Sequence, residues 1–250
     1  MRNMMRNMFL ALGIALLAAA TTGTAEAALP APATAPVAAV SPGGDAIVGI
    51  AAPVTVTFAA PVGNRARAER AIHVNAAAPA PVAGSFAWRN DHQVVWTPTG
   101  FLPANTHFTV SAGPAHTDFT TNSGTRAEGN ISAHTFTVYV PGQSARTMSA
   151  SMGKPAHPTP TGTFSVLEKD RTIIFDSRTI GIPLSSPEGY YLKGEYAERL
   201  TWSGVFVHSA PWSVGQQGHS NVSHGCINLS PSDAAWYYNN VSMGDPVTIN

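Results

Sequence analysis

The one cysteine of this 250-residue chain lies in the segment Ser223-His224-Gly225-Cys226-Ile227-Asn228, and His208 and His219 precede that segment. A thiol with an ordinary pKa of about 8.5 is mostly protonated at neutral pH, so it needs a base nearby to become a nucleophile. An imidazole can accept the thiol proton and later return it to a leaving amine. The residue types therefore predict a cysteine nucleophile assisted by histidine.

Three neighbours of the cysteine receive predicted roles. His208 ends the apolar run Val205-Phe206-Val207, and a strand of this kind is a rigid support for a catalytic base. Gly225 permits a positive φ and close backbone approach, so adjacent amides can face a developing oxyanion. His224 alternates with Cys226 and is predicted to steer the substrate or stabilise charge.

These residues resemble a known family. His208, fourteen residues and then Ser223–Asn228 resemble the signature of the L,D-transpeptidases with a YkuD-like catalytic domain. Thr159-Pro160-Thr161-Gly162-Thr163-Phe164 is similar to the family's TPxGxF segment. The stretch Gly204–Asn228 closely resembles the mycobacterial-type enzymes, which carry one or two immunoglobulin-like domains ahead of the catalytic domain. The chain has this layout with a single such domain.

The resemblance implies a reaction on peptidoglycan stem tetrapeptides as donor and acceptor. Cys226 would attack the bond between the third residue and D-Ala, and D-Ala would leave a thioester behind. A diaminopimelate amine of a second stem would then resolve the thioester into a 3→3 crosslink. The resemblance also implies carbapenem-type β-lactams as covalent inhibitors, no cofactor and no metal.

Further site residues follow from the same resemblance. A backbone carbonyl, here that of Ser209, would orient His208, and backbone amides at Cys226 and its neighbours would form the oxyanion hole. Four residues match positions that line or support the substrate cleft in similar enzymes: Tyr190, Ser203, Trp212 and Asn228. Residues 173–193 would form a flap over that cleft.

Other interpretations of the same residues stay open. Cys226 can be a buried structural thiol. His208, His219, His224 and Cys226 can bind zinc, although their spacing matches no common zinc arrangement.

Ser151-Met152-Gly153-Lys154 matches the S-x-x-K motif of serine acylases. That motif needs a helix, which Gly153 and Pro155 disfavour.

The alternative function outside the enzyme class is a non-catalytic cell-wall-binding module on the same fold. Within the enzyme class, water (carboxypeptidase), a D-amino acid or a protein lysine can replace diaminopimelate as acceptor.

The chain divides into five predicted segments. Residues 1–27 are predicted to be a signal peptide, with a basic start, the apolar stretch Met8–Ala20 and the cleavage pattern Ala25-Glu26-Ala27. We expect an exported protein of the periplasm or cell-wall space, with an uncleaved N-terminal tether as the alternative. Residues 28–41 are predicted to be an Ala/Pro-rich linker, 42–122 the immunoglobulin-like domain, 123–130 a second linker and 131–250 the catalytic domain.

The fold class predicted is all-β: an N-terminal immunoglobulin-like sandwich, then a YkuD-like β-sandwich catalytic domain with one C-terminal helix. Short runs alternate between apolar and polar residues, as half-buried strands do. In the first domain these runs are 54–58, 72–74, 85–88, 94–97, 107–110 and 117–120. The helix is predicted to begin after Ser230 as N-cap, with Pro231 in its first turn, and to end near Val241.

The charge balance argues against nucleic acid as a partner. The chain carries 14 basic and 14 acidic residues, whereas binding of nucleic acid or anionic lipid selects for basic patches. We expect a monomer.

Overall fold

The computed structural model describes residues 35–76 and 82–250. The predicted signal peptide lies outside the described residues. The N-terminal domain consists of the following strands and one short helix: β1 (Val37–Ser41), β2 (Ala46–Val48), β3 (Val54–Phe58), α1 (Arg65–Arg70), β4 (Ile72–Ala76), β5 (Gly84–Trp88), β6 (Gln93–Pro98), β7 (His107–Ala112) and β8 (Ala115–Thr121).

Two four-stranded sheets, β1-β3-β6-β5 and β2-β8-β7-β4, pack face to face in this domain. Alternate residues of β3 are buried, so Val54 and Val56 reach a common core with Phe108 and Phe119 of the other sheet. The rings of Phe108 and Phe119 stack with their centroids 5.0 Å apart. The predicted sandwich is confirmed, and each of the six alternating runs lies within a strand.

The N-terminal boundary differs from the prediction. Val37–Ser41, which the Ala/Pro composition assigned to the linker, pair with β3 as strand β1. The structure also contains the short helix α1, which the sequence analysis did not predict. Of its six residues only Ala68 is buried, so no apolar periodicity announces it.

The catalytic domain has nine strands and one longer helix: β9 (Arg126–Asn130), β10 (Thr135–Tyr139), β11 (Arg146–Ser151), β12 (Gly162–Ser165), β13 (Glu168–Asp176), β14 (Tyr191–Arg199), β15 (Phe206–Ser209), β16 (Ile227–Leu229), α2 (Pro231–Asn240) and β17 (Pro246–Ile249). Two 3₁₀ turns span Ser177–Ile180 and Pro211–Ser213.

The nine strands follow the order β12-β17-β9-β10-β11-β16-β15-β14-β13. Side chains from distant strands of this order, such as Phe136 of β10, Val207 of β15 and Ile249 of β17, share one core. The sheet therefore curls around that core. The predicted β-rich catalytic domain is confirmed.

Helix α2 packs against the same core. Ser230 caps it, with Oγ accepting from the Asp233 amide, and Pro231 opens the first turn, as predicted. The buried ring of Tyr237 meets Phe136 edge to face with centroids 5.0 Å apart. In the described part of the chain, no helix is long and apolar enough to cross a membrane.

The two domains are in direct contact. The Gly49 amide donates to the Met243 carbonyl, and the Ala51 amide donates to the Gly244 carbonyl, each at 2.8 Å. Asn122 Nδ2 donates to the buried carboxylate of Asp245 at 2.7 Å.

The predicted linker 123–130 also differs from the structure, because Arg126–Asn130 form β9 between β17 and β10.

Candidate active site

His208 lies on a fully buried strand, β15, which is the third strand from the β13 edge of the sheet. All four residues of β15 are buried, and the strand pairs in parallel with β16, where Asn228 is opposite His208. Burial of both faces explains why Phe206 and Val207, the second and third residues of the apolar run, fold as a strand here. The imidazole is therefore fixed by the sheet and does not depend on a mobile loop.

The Nδ1 atom of His208 lies 2.8 Å from the carbonyl oxygen of Ser209. Because a carbonyl can only accept, Nδ1 carries the hydrogen in the neutral ring, and Nε2 keeps a free lone pair. Burial lowers the pKa of His208 to about 4, although the Ser209 carbonyl opposes this shift. The imidazole is consequently neutral at pH 7 and able to accept a proton at Nε2.

Cys226 follows a tight turn that the hydroxyl groups of Ser223 and Thr159 hold in place through four hydrogen bonds. Gly225 adopts φ +115°, a conformation that glycine tolerates and other residues rarely adopt. Ser223 Oγ donates to the Cys226 carbonyl at 2.7 Å and accepts from the Gly225 amide at 3.1 Å. The buried hydroxyl of Thr159 donates to the Gly225 carbonyl at 2.9 Å and accepts from the Gly153 amide at 2.8 Å.

Cys226 is a free cysteine that lines a cleft. Its Sγ lies 3.6 Å from the carbonyl oxygen of Gly204, to which the S–H can donate. Burial raises the pKa of Cys226 to about 11, against weaker opposing effects of the Phe206 backbone and Arg199. At rest the site therefore holds a neutral thiol and a neutral imidazole.

The amides of the turn differ in their hydrogen bonding. The Gly225 N–H is already bonded to Ser223 Oγ, so in this arrangement it does not face the cleft as a free donor. The positive φ predicted for Gly225 is confirmed, whereas an oxyanion hole at Cys226 and its neighbours stays a prediction. No acceptor is bonded to the Cys226 amide within residues 35–76 and 82–250. The role of Gly225 is to give the turn its positive φ.

The cleft has a volume of about 390 Å³ and brings together most of the predicted residues. His208, His224 and Cys226 line it together with the four predicted cleft residues Tyr190, Ser203, Trp212 and Asn228. The Trp212 ring is half-exposed, with its centroid 5.9 Å from that of His208. The Asn228 amide donates to Ser213 Oγ at 3.1 Å, so this side chain also stabilises the cleft wall.

The predicted flap, residues 173–193, is the end of the β13–β14 hairpin together with its connecting segment. From the flap, Ile174, Phe175 and Leu192 contribute apolar lining. Phe175 also lies against His208, with ring centroids 4.5 Å apart. The ring helps to exclude water from the base.

Sequence reasoning missed three features of the site. Thr159 holds the turn of residues 223–226, called the nucleophile turn below, through a bond to Gly225, 66 residues away. Trp202 lines the cleft and stacks under Arg89 of the N-terminal domain at 4.5 Å. Glu188 binds His224 Nε2 at 2.6 Å and also pairs with Lys154. The TPxGxF resemblance was the one signal that could have directed attention to Thr159.

The structure does not bring the residues of either alternative motif into the arrangement that the motif requires. Ser151 and Lys154 of the S-x-x-K match do not share a helix, because Ser151 ends strand β11 and its hydroxyl donates to the Ser220 carbonyl. The four residues of the zinc alternative are not all gathered in the cleft, since exposed His219 does not line it.

Comparisons with known proteins match both domains. Residues 124–249 match the YkuD family, the L,D-transpeptidase catalytic domain, and residues 17–118 match a bacterial Ig domain. L,D-transpeptidase 1 of Mycobacterium tuberculosis (strain ATCC 25618 / H37Rv) is 47% identical over 100% of this chain and 99% of its own length.

Two solved structures are also similar. The structure of LD transpeptidase LdtMt1 in complex with imipenem is 49% identical, with a TM-score of 0.83 over 86% of this chain and 99% of that one. An L,D-transpeptidase from Mycobacterium smegmatis is 53% identical, with a TM-score of 0.79 over 86% and 98% of the two chains.

Proposed function

This chain belongs to the L,D-transpeptidase family, with a bacterial Ig domain ahead of a YkuD catalytic domain, and from that premise we propose that it forms 3→3 crosslinks in peptidoglycan through a thioester on Cys226. The observation that carries the proposal is that Cys226 and His208 share one cleft while the Ser209 carbonyl holds the hydrogen on His208 Nδ1. A nucleophile, a base and a group that orients the base are thus all present.

The acylation step begins from the neutral pair. His208 Nε2 takes the thiol proton as Sγ attacks the carbonyl carbon of the third residue of the donor tetrapeptide. The tetrahedral intermediate collapses with cleavage of the bond to D-Ala, and the D-Ala amine leaves with the proton that His208 returns. The product is a tripeptide thioester on Cys226, and His208 is again neutral.

The second step transfers the acyl group. A diaminopimelate side-chain amine of the acceptor stem attacks the thioester carbon and passes a proton to His208 Nε2. The C–S bond then breaks, and the sulfur is reprotonated from the imidazolium. One amide bond forms, one D-Ala has been released, and the enzyme returns to its starting protonation state.

The developing oxyanion needs a donor, and the unbonded Cys226 amide is the group that we assign to it. The partner of His208 Nδ1 is the Ser209 carbonyl and not a carboxylate, and the scheme needs no more, because this carbonyl fixes the tautomer that a carboxylate fixes in other triads.

The half-open cleft suits an extended peptide. Tyr190, Ser203, Trp212 and Asn228 provide a mixture of aromatic surface and hydrogen-bonding groups, which is the composition expected of a site that must orient a peptide. We assign donor binding to this group and closure over the donor to the hairpin segment 173–193. The same site would be acylated by carbapenem-type β-lactams, since the similar structure of LdtMt1 is a complex with imipenem.

The place of action follows from the substrate. Peptidoglycan lies outside the cytoplasmic membrane, so we propose an exported enzyme of the periplasm or cell-wall space, directed there by residues 1–27. The N-terminal domain docks on the catalytic domain through Asn122 and Asp245, and we propose that this contact helps to shape the cleft.

The test is mass spectrometry of the products formed from a diaminopimelate-containing disaccharide-tetrapeptide. The transpeptidase proposal expects dimers that lack one D-Ala, formed by the wild type and absent with Cys226→Ala. Removal of the base in His208→Gln should lower the rate by about 10²–10⁴-fold.

Two outcomes would overturn the proposal. Tripeptide monomers without dimers would make the protein a carboxypeptidase. No product and no imipenem adduct on the wild-type protein would favour the non-catalytic cell-wall-binding module.

A further inference from the structure

Three side chains with metal-ligand chemistry meet at the rim of the cleft, outside the reacting pair. His157 comes from the loop between β11 and β12, Glu188 from the loop that precedes β14, and His224 from the nucleophile turn. One ligand atom from each lies within 4.8 Å of the others. The His157 and His224 ring centroids are 4.9 Å apart, and His224 Nε2 is 2.6 Å from Glu188 Oε2.

The donor set is typical of a transition-metal site. Two imidazoles and one carboxylate, with a fourth position open to water, suit a tetrahedral Zn²⁺ ion. The donor atoms lie within 4.8 Å of one another, so the three side chains have to draw together for all of them to reach one ion at about 2.0–2.2 Å. The cluster is also accessible, because the Glu188 side chain is 45% exposed.

The Glu188 carboxylate favours binding of a cation, but the Lys154 ammonium already pairs with it and competes with a metal ion. The Glu188 carboxylate already accepts hydrogen bonds from Lys154 Nζ and His224 Nε2. The Lys154 ammonium pairs with the same Oε2 atom. An entering metal ion has to displace that ammonium, and removal of the lysine charge should therefore tighten metal binding.

We propose that His157, Glu188 and His224 form a binding site for one divalent transition-metal cation of the Zn²⁺ class, which ties the flap segment to the nucleophile turn. This inference goes beyond the transpeptidase reaction, which needs no metal. His224 is two residues from Cys226, and the Tyr190 ring lies 5.2 Å from the His224 ring. A bound cation would hold the flap against the turn and slow access of donors to the thiol.

The test measures Zn²⁺ binding to the metal-free full-length protein by competition with a chromophoric chelator. We expect one Zn²⁺ per chain. His157→Gln and Glu188→Gln should each weaken binding by at least the roughly 10–100-fold that loss of an outer-shell partner costs. Lys154→Met should tighten it. His219→Gln, at an exposed loop histidine outside the cluster, is the matched control and should change nothing.

A second readout separates this site from the catalytic thiol. Co²⁺ in place of Zn²⁺ should give the visible bands of a site with nitrogen and oxygen ligands and no thiolate charge-transfer band, and Cys226→Ala should bind as the wild type does. Near-UV circular dichroism of each variant checks its fold. Binding that is lost in Cys226→Ala but kept in His157→Gln would overturn the proposal, as would the absence of any Zn²⁺ binding. Either result would leave crosslinking by the metal-free enzyme unaffected.

Discussion

The hydroxyl of Thr159 is the connection between the TPxGxF-like segment and the nucleophile turn, and its removal is the most direct test of the site's construction. Thr159 is 4% exposed, and its Oγ1 accepts from the Gly153 amide and donates to the Gly225 carbonyl. Thr159→Val keeps the shape of the side chain but replaces the hydroxyl by a methyl group. Both backbone groups are then buried without a partner.

The expected cost follows from those two groups. A buried polar group left unpaired costs about 1–3 kcal/mol, so we expect Thr159→Val to lower the free energy of unfolding by about 2–4 kcal/mol. Thr159→Ser keeps the hydroxyl and should lose only about 1 kcal/mol, through the lost methyl group. Thr161→Val, at an exposed threonine of the same segment, should stay within about 0.5 kcal/mol of the wild type.

Urea unfolding followed by tryptophan fluorescence measures the first effect as a lower midpoint at unchanged slope. The rate of imipenem acylation, followed by intact mass, measures the second, because a relaxed turn no longer fixes Cys226 and Gly225. We expect Thr159→Val to acylate more slowly than Thr159→Ser. If Thr159→Val were as stable and as reactive as Thr161→Val, the hydroxyl would not hold the turn and the reasoning would be refuted.

Three further predictions concern the base, the domain contact and the cleft wall. Because burial lowers the pKa of His208 to about 4, the base stays deprotonated as pH falls from about 7 to about 5. Imipenem acylation should therefore lack the decline that an ordinary imidazole of pKa about 6.5 would cause, and a half-maximal rate near pH 6.5 would contradict the neutral-pair scheme. Asn122→Ala leaves Asp245 Oδ1 without the 2.7 Å bond, so urea unfolding should show a loss of about 1.5–3 kcal/mol. Asn75→Ala, at an exposed position of β4, is the control for that loss, and equal stability of the two variants would argue against the contact. Arg89→Ala removes the cation from the Trp202 ring, and the cation–π energy of about 0.5–1 kcal/mol corresponds to an acylation rate about two- to fivefold lower. Arg89→Lys should recover part of that rate, whereas a wild-type rate in Arg89→Ala would mean that Trp202 is held by other contacts.

Much of the fold is encoded in short-range patterns. The alternation of apolar and polar residues predicted β3 with its observed bounds Val54–Phe58, because a strand with one buried face repeats every second residue. Ser230 and Pro231 predicted the start of α2 for a similarly local reason, since the cap bonds a residue only three positions away. By contrast, strand β1 was not predicted, because its Ala/Pro-rich composition is typical of a linker. Its pairing with β3 makes it a strand, and its own residues do not indicate that pairing.

The residues that we propose to react could also be selected from the sequence, whereas their surroundings could not. A single cysteine after a strand-end histidine, within a specific motif, indicated Cys226 and His208, and the resemblance indicated the cleft residues. Only the tertiary structure decided that the Gly225 amide donates to Ser223 Oγ, that Thr159 holds the turn, and that Glu188 meets His157 and His224. These contacts join segments far apart in the chain, and sheet register and loop packing determine which of them form. The local alternation of apolar and polar residues therefore does not indicate these contacts.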